Sequence, residues 1–338
     1  MRRKYALSLA VRAAAHLLVD AVCASALYGS DTALACFLIY DTLAFSTQPA
    51  SGMICDRNRG RLSLIASGSC LLLAVAFFLP VSTMTRAVVM GLANSFFHTS
   101  AGTSVLEGSN GRAYPQGVFV APGCIGLVLG RLFPRLGSIF ASCVAAAALV
   151  LIFLPDCSGE RSGTVTGAPQ GRTDMTAALM LFAAVAVRAF AGSAVEFSWK
   201  KGTAGALLMT AAVFAGKFAG GFAADRLNVR RLSVCSIVSA ALFTAFCSGD
   251  PVLSMAGQFL INLTMPVTLW LMFRSLPEEP GFAFGLAAAA LWPGTLAGYI
   301  VKLTGVWQRV CVIICFLAGT VAIYYSIGIL EKGEKQNE

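Results

Sequence analysis

Several ionisable residues stand inside stretches otherwise fit for hydrocarbon, and their types suit proton and anion chemistry. Arg12, His16 and Asp20 follow one another at four-residue spacing, so on a helix each lies beside the next. Asp20 can steady a protonated His16 or take up a proton itself; the same spacing also suits a structural hydrogen-bonded pair. Arg188 and Glu196 repeat the outer two residues of that series, but Gly192 holds the middle place and leaves them unbridged. Asp41 has no partner in its own stretch, so it is a proton site or half of a buried ion pair. His98 lies in a run with Asn94, Ser95, Thr99, Ser100, Thr103, Ser104 and Glu107; it reads as cavity lining or as a satisfied structural group. Gln258 and Asn262 are one turn apart, able to hydrogen-bond a substrate or a neighbouring helix. A charge at mid-bilayer costs about 2.5–3.5 kcal/mol even on the lenient insertion scale, so such residues tend to serve function. The candidate proton carriers are therefore Asp20, Asp41 and Glu196. The candidate substrate contacts are Arg12, His16, His98, Arg188, Gln258 and Asn262.

Other chemistry finds little support. No Walker loop, no GxGxxG after a strand and no HExxH occurs. The 11 cysteines include no CxxC pair, and the two histidines leave little for a metal enzyme. The expectation is no enzyme, no metal and no cofactor, with a proton gradient as driving force.

The elements that must position these residues are membrane helices. The chain has 338 residues, 57% hydrophobic and 12% charged, with apolar stretches of spanning length throughout. The reading is an all-α polytopic membrane protein. The net charge of +9 sits in short turns between apolar runs, which orients helices and excludes a nucleic-acid face. Twelve spans are expected, near 5–27, 32–54, 62–80, 86–106, 114–133, 137–155, 176–199, 203–224, 231–249, 251–272, 281–300 and 306–330. Arg12, His16 and Asp20 interrupt the first run, so it reads as helix 1 and not as a cleaved signal. The polar stretch 156–173 divides an N-terminal half, 1–155, from a C-terminal half, 174–330; a polar tail, 331–338, is expected to fray. With the N-terminus cytoplasmic, inside segments carry fifteen Lys and Arg against seven outside. Both termini are then cytoplasmic, in the inner membrane of a bacterial-type cell.

Two echoes relate the halves. Ala-Val-Arg-Ala occurs at 10–13 and again at 186–189. The turn Gly52-Met-Ile-Cys-Asp56-Arg57-Asn-Arg59-Gly60-Arg61 returns as Gly221-Phe-Ala-Ala-Asp225-Arg226-Leu-Asn-Val-Arg230-Arg231. In each, Gly permits close helix approach, while Asp can hold arginines and cap the next helix. The expected gating set is Gly52, Asp56, Arg57, Arg61, Gly221, Asp225 and Arg226.

This duplicated turn resembles the loop signature of the major facilitator superfamily. Within it, His16-x-x-x-Asp20, Gln48-Pro49-x-x-Gly52 and Phe97-His98 followed by Gly102 resemble the fosmidomycin-resistance-like branch, with Thr99 where that branch has proline. The resemblance implies two six-helix halves that rock about a central cavity lined by helices 1, 4, 7 and 10. Gly117, Gly126 and Gly130 match the spacing of the superfamily's antiporter helix, but Arg131 replaces its proline; close packing explains three glycines equally well. An arginine from helix 1 and one from helix 7 resemble the phosphate grip of the organophosphate antiporters, which points to Arg12 and Arg188; snorkelling, or pairing with Asp20, Asp41 or Glu196, is the alternative. The expected function is proton-coupled efflux of a small compound or drug, anionic if the two arginines grip it, by a monomer in the lipid bilayer. The alternatives are a proton-coupled importer and a transport-inactive sensor or scaffold on the same fold.

Overall fold

The computed structural model describes residues 2–28, 33–156, 173–301 and 303–337. Most of the expected linker lies outside the described residues, as do Met1, Arg161, Arg172, Lys302 and Glu338. Among the described residues every regular element is helical: α1 (Arg2–Leu27), α2 (Ala33–Ser46), α3 (Gln48–Arg57), α4 (Leu62–Phe78), α5 (Thr83–Glu107), α6 (Tyr114–Leu132), α7 (Gly137–Ile152), α8 (Met175–Ala194), α9 (Gly202–Ala224), α10 (Val229–Phe246), α11 (Pro251–Ser275), α12 (Pro280–Ala289), α13 (Leu291–Ile300) and α14 (Gly305–Asn337). Single 3-10 turns occur at Arg59–Arg61 and Pro134–Leu136.

Helices occupy all twelve expected stretches, and two of them are broken. Span 2 is interrupted at Thr47, because Pro49 cannot donate to the carbonyl of Phe45; at the break the Thr47 hydroxyl donates to the carbonyl of Leu43 at 2.6 Å. Span 11 is interrupted at Ala290, where Pro293 leaves the carbonyl of Ala289 without its helical donor. Among the described residues ten helices are long and apolar enough to cross a membrane. The other two spans miss that measure for different reasons: the second is split into short pieces, and α5 carries a row of polar side chains.

Two expectations are corrected. The tail does not fray at 331, since α14 continues to Asn337. Its Glu331 and Lys335 have the four-residue spacing that supports a helix, and Glu331 accepts a hydrogen bond from Arg230 at 2.7 Å. Span 7 does not reach 199: α8 ends at Ala194, Val195 is extended, and Glu196 is exposed in a non-helical segment. The eight-residue echo between Asp20 and Glu196 therefore does not put both carboxyls inside helices.

The helices form two compact units. The first holds the described residues of Met1–Asn110, Val118–Thr166 and Glu279–Gly285; the second holds those of Gly111–Gly117, Gly167–Glu278 and Leu286–Glu338. Two short segments thus depart from a plain division in chain order. In the first unit α4 packs against α5 and α7, α2 and α3 against α5, and α1 against α7. In the second, α11 packs against α9 and α10, and α8 and α10 against α14. The buried positions are dominated by small residues, among them Ala13, Ala21, Ala66, Ala101, Ala141, Ala184 and Ala240. Small side chains let helices meet at van der Waals range where no water is left to drive them together. Large apolar side chains such as Leu71, Phe78, Leu149, Phe153, Leu242 and Ile314 are exposed, as suits a lipid-facing surface.

Candidate functional site

The first unit gathers both histidines and Asp20. His16 and Asp20 lie one turn apart on α1, with Nε2 of His16 at 3.3 Å from the Asp20 carboxylate. His98 comes from the middle of α5 and places its Nε2 at 3.6 Å from the other carboxylate oxygen. The two Nε2 atoms are 2.9 Å apart, joining residues 82 positions distant in sequence. Each ring is held from behind: His16 Nδ1 meets the carbonyl of Phe119 at 2.7 Å, and His98 Nδ1 meets that of Asn94 at 2.9 Å. A carbonyl oxygen only accepts, so both Nδ1 atoms carry hydrogen. In two neutral rings so oriented, both Nε2 atoms are lone pairs. Their 2.9 Å approach is stable only with a shared proton or a cation between them.

α6 makes room for this cluster by lacking side chains. A Cβ at Gly123 would collide with His16 Nε2 and lie 2.6 Å from the Asp20 carboxylate. Further along, Gly126 and Gly130 rest on the backbone of α1. Gly126 and Gly130, two of the three glycines at the antiporter spacing, thus pack closely against α1, and Gly123, which stands outside that spacing, borders the site.

The other expected residues are distributed as follows. Asp41, on α2, is buried and has no cationic partner among the described residues. Arg12 is 1% exposed. It donates to Ser8 and, at 2.7 Å, to Ser63, and it lies 4.0 Å from Asp156 beyond the end of α7. Asp156 is thus a carboxylate close to Arg12, and nothing in the arginine's own stretch signals it. In the second unit Arg188 is 6% exposed. It donates to the hydroxyls of Thr264 and Thr268, the latter at 3.2 Å, and to the sulfur of Met265, all on α11. Among the described residues no carboxylate pairs with it, and its Nε–H has no partner. Asn262 donates to the carbonyl of Gln258 at 2.8 Å, closing the turn before Pro266, and both residues are partly buried.

The duplicated turns act as helix caps, but not for the next helix. Asp56 accepts from the amides of Gly281 and Phe282, each at 2.8 Å, at the start of α12. Asp225 accepts from Ala113 at 2.7 Å and Tyr114 at 3.1 Å, at the start of α6. The reason is positional. Asp56 still lies within α3 and Asp225 is the C-cap of α9, so neither can turn forward; Asn228 caps α10 instead. A carboxylate on the first amides of a helix meets unsatisfied donors and the positive end of its dipole. The glycines permit this approach: a Cβ at Gly52 would overlap the Gly281 carbonyl, and one at Gly221 would lie 2.6 Å from that of Ala113. Burial raises the Asp56 carboxyl above the ordinary aspartate value, while the two amides and Arg59 pull the other way. Of the arginines, Arg57, Arg61 and Arg226 are exposed. Arg59, which the sequence reading did not single out, lies 3.7 Å from Asp56 and 3.5 Å from Glu107 on α5.

Solved structures share this arrangement of helices. A crystal structure of the E. coli fucose:proton symporter matches with a TM-score of 0.69 at 12% identity, over 96% of this chain and 99% of that one. The chain has the major facilitator fold. A second structure of that symporter, in the outward conformation, matches with a TM-score of 0.68, also at 12% identity over 96% of this chain and 99% of that one. The human organic anion transporter MFSD10 matches with a TM-score of 0.62 at 15% identity, over 97% of this chain and 99% of that one. No family profile matches the sequence, and no curated protein aligns with it. The major facilitator fold is that of a multi-pass membrane protein, and these similar proteins are transporters. The narrower resemblance to the fosmidomycin-resistance-like branch has no counterpart among them.

Proposed function

We propose that the chain is a secondary active transporter that moves a small anionic compound out of the cell in exchange for protons, by alternating access. The observation that carries the reading is Arg188. A buried guanidinium costs several kcal/mol unless a counter-charge meets it (roughly 3–5 when a partner is removed). Threonine hydroxyls orient the group but neutralise nothing. A phosphate, phosphonate or carboxylate would supply the charge and accept two parallel hydrogen bonds from the planar fork. The organic anion transporter among the structurally similar proteins is in keeping with such a substrate.

For coupling, Asp41 is the proton carrier of choice. Glu196 is exposed outside its helix, and Asp20 is engaged by both histidines, whereas Asp41 is buried without a cation among the described residues. The caps at Asp56 and Asp225 hold one access state. Import by proton symport is the second reading, favoured by the fucose:proton symporter among the similar structures. The test is uptake of a panel of organic phosphates, phosphonates, carboxylates and cations into proteoliposomes under an imposed pH gradient. Anion movement against the proton flux supports antiport, and movement with it supports symport. Selective movement of cations, or of none of the panel, overturns the anion reading.

A further inference from the structure

We infer that His16, Asp20 and His98 form a binding site for a divalent transition-metal ion of the zinc class. Their ligand atoms lie within 4.8 Å of one another. Two imidazole nitrogens and a carboxylate oxygen are the donor set that zinc, cobalt, nickel and copper(II) accept, whereas magnesium and calcium seek oxygen ligands alone. The geometry is close to that of a bound ion. Nitrogens about 2.0–2.1 Å from a tetrahedral zinc stand about 3.3 Å apart, and these stand 2.9 Å apart. A few tenths of an ångström of ring movement would admit the ion.

The outer shell is in place as well. Ligating imidazoles characteristically donate their second N–H to a carbonyl or carboxylate, which fixes the tautomer and aims the lone pair. Both rings do so here, to Phe119 and Asn94. Two lone pairs driven together without a cation would repel; a metal turns that repulsion into two bonds. The Asp20 side chain is 21% exposed against 7% for His16, so the carboxylate is the side from which an ion enters. Three protein ligands leave a fourth position for water or another small ligand. The order of residues signals only part of the site: His16 and Asp20 stand at helical spacing, but His98 comes from another helix with no motif spacing to them.

The inference stands apart from the transport reading, because binding is read without transport. The full chain is purified in detergent with a histidine-free tag, stripped with chelator and dialysed against zinc. One equivalent should bind, and His16→Gln, His98→Gln and Asp20→Asn should each weaken it at least about tenfold. Cobalt(II) should give visible d–d bands without the near-ultraviolet band of a thiolate ligand, which separates this site from the cysteines. Because a ligand variant can disturb folding, copper(II) paramagnetic resonance on the unaltered chain, with labelled histidine, supplies a second readout: two imidazole nitrogens on the metal. No stoichiometric binding by the wild type, full affinity in the His16→Gln/His98→Gln double variant, or a copper spectrum without imidazole nitrogens would each overturn the site.

Discussion

The carboxylate of Asp56 accepts the amide of Gly281 at 2.8 Å, and Asp225 accepts that of Ala113 at 2.7 Å. Two copies of one turn thus grip two helix starts in the same way. A hydrogen bond to a charged group contributes about 1.5–3 kcal/mol. Asp56→Ala or Asp225→Ala should therefore weaken one access state and slow transport about tenfold, with expression and substrate affinity near wild type. Initial rates in proteoliposomes, beside equilibrium binding in detergent, check this. Wild-type rates in both variants would remove the turns from the mechanism.

Gly52→Ala should destabilise the chain by about 1–3 kcal/mol, the usual cost of overpacking. The added carbon would overlap a backbone oxygen of Gly281, which cannot swing aside as a side chain can. Gly60→Ala, eight residues on in the same turn, meets nothing within 4 Å and should be tolerated. Thermal unfolding of both variants provides the comparison, and equal melting temperatures would contradict the close approach.

Arg188→Lys keeps the charge but loses the planar fork, so anion affinity should fall several-fold; Arg188→Ala should fall further. Binding titrations with a phosphate, a phosphonate and a carboxylate measure it. Unchanged affinity in both variants would leave Arg188 a structural charge.

Asp41→Asn should abolish uphill transport yet spare exchange of substrate for substrate, since exchange needs no net proton movement. Counterflow and gradient-driven uptake in the same vesicles separate the two. Uphill transport at the wild-type rate would move the coupling to another residue.

The charge bias of fifteen against seven favours cytoplasmic termini. On a cysteine-free background, an impermeant thiol reagent added outside cells should label Thr203→Cys and miss Lys335→Cys; both positions are exposed. The opposite pattern would invert the topology.

The spans and the repeated turn were legible in the order of residues. A run of apolar residues long enough to cross hydrocarbon can satisfy its backbone only as a helix, so spans are a local property. The duplication of Gly52 and Asp56 as Gly221 and Asp225 is likewise plain in the letters. Pro49 and Pro293 carried the information for the two breaks, although apolar run length concealed it. What the turns grip was not legible: Asp56 reaches α12 instead of the helix that follows it, because the end of α3 leaves it facing away from the forward chain. Only the tertiary structure paired Arg12 with Asp156, left Arg188 to hydroxyls, and put Glu196 outside its helix. Only it brought His16 and His98 to 2.9 Å. Such contacts depend on the rotation and depth of each packed helix, and these are set by where small residues let backbones meet, as at Gly123 and Gly126. A chemical site formed between helices is a property of that packing.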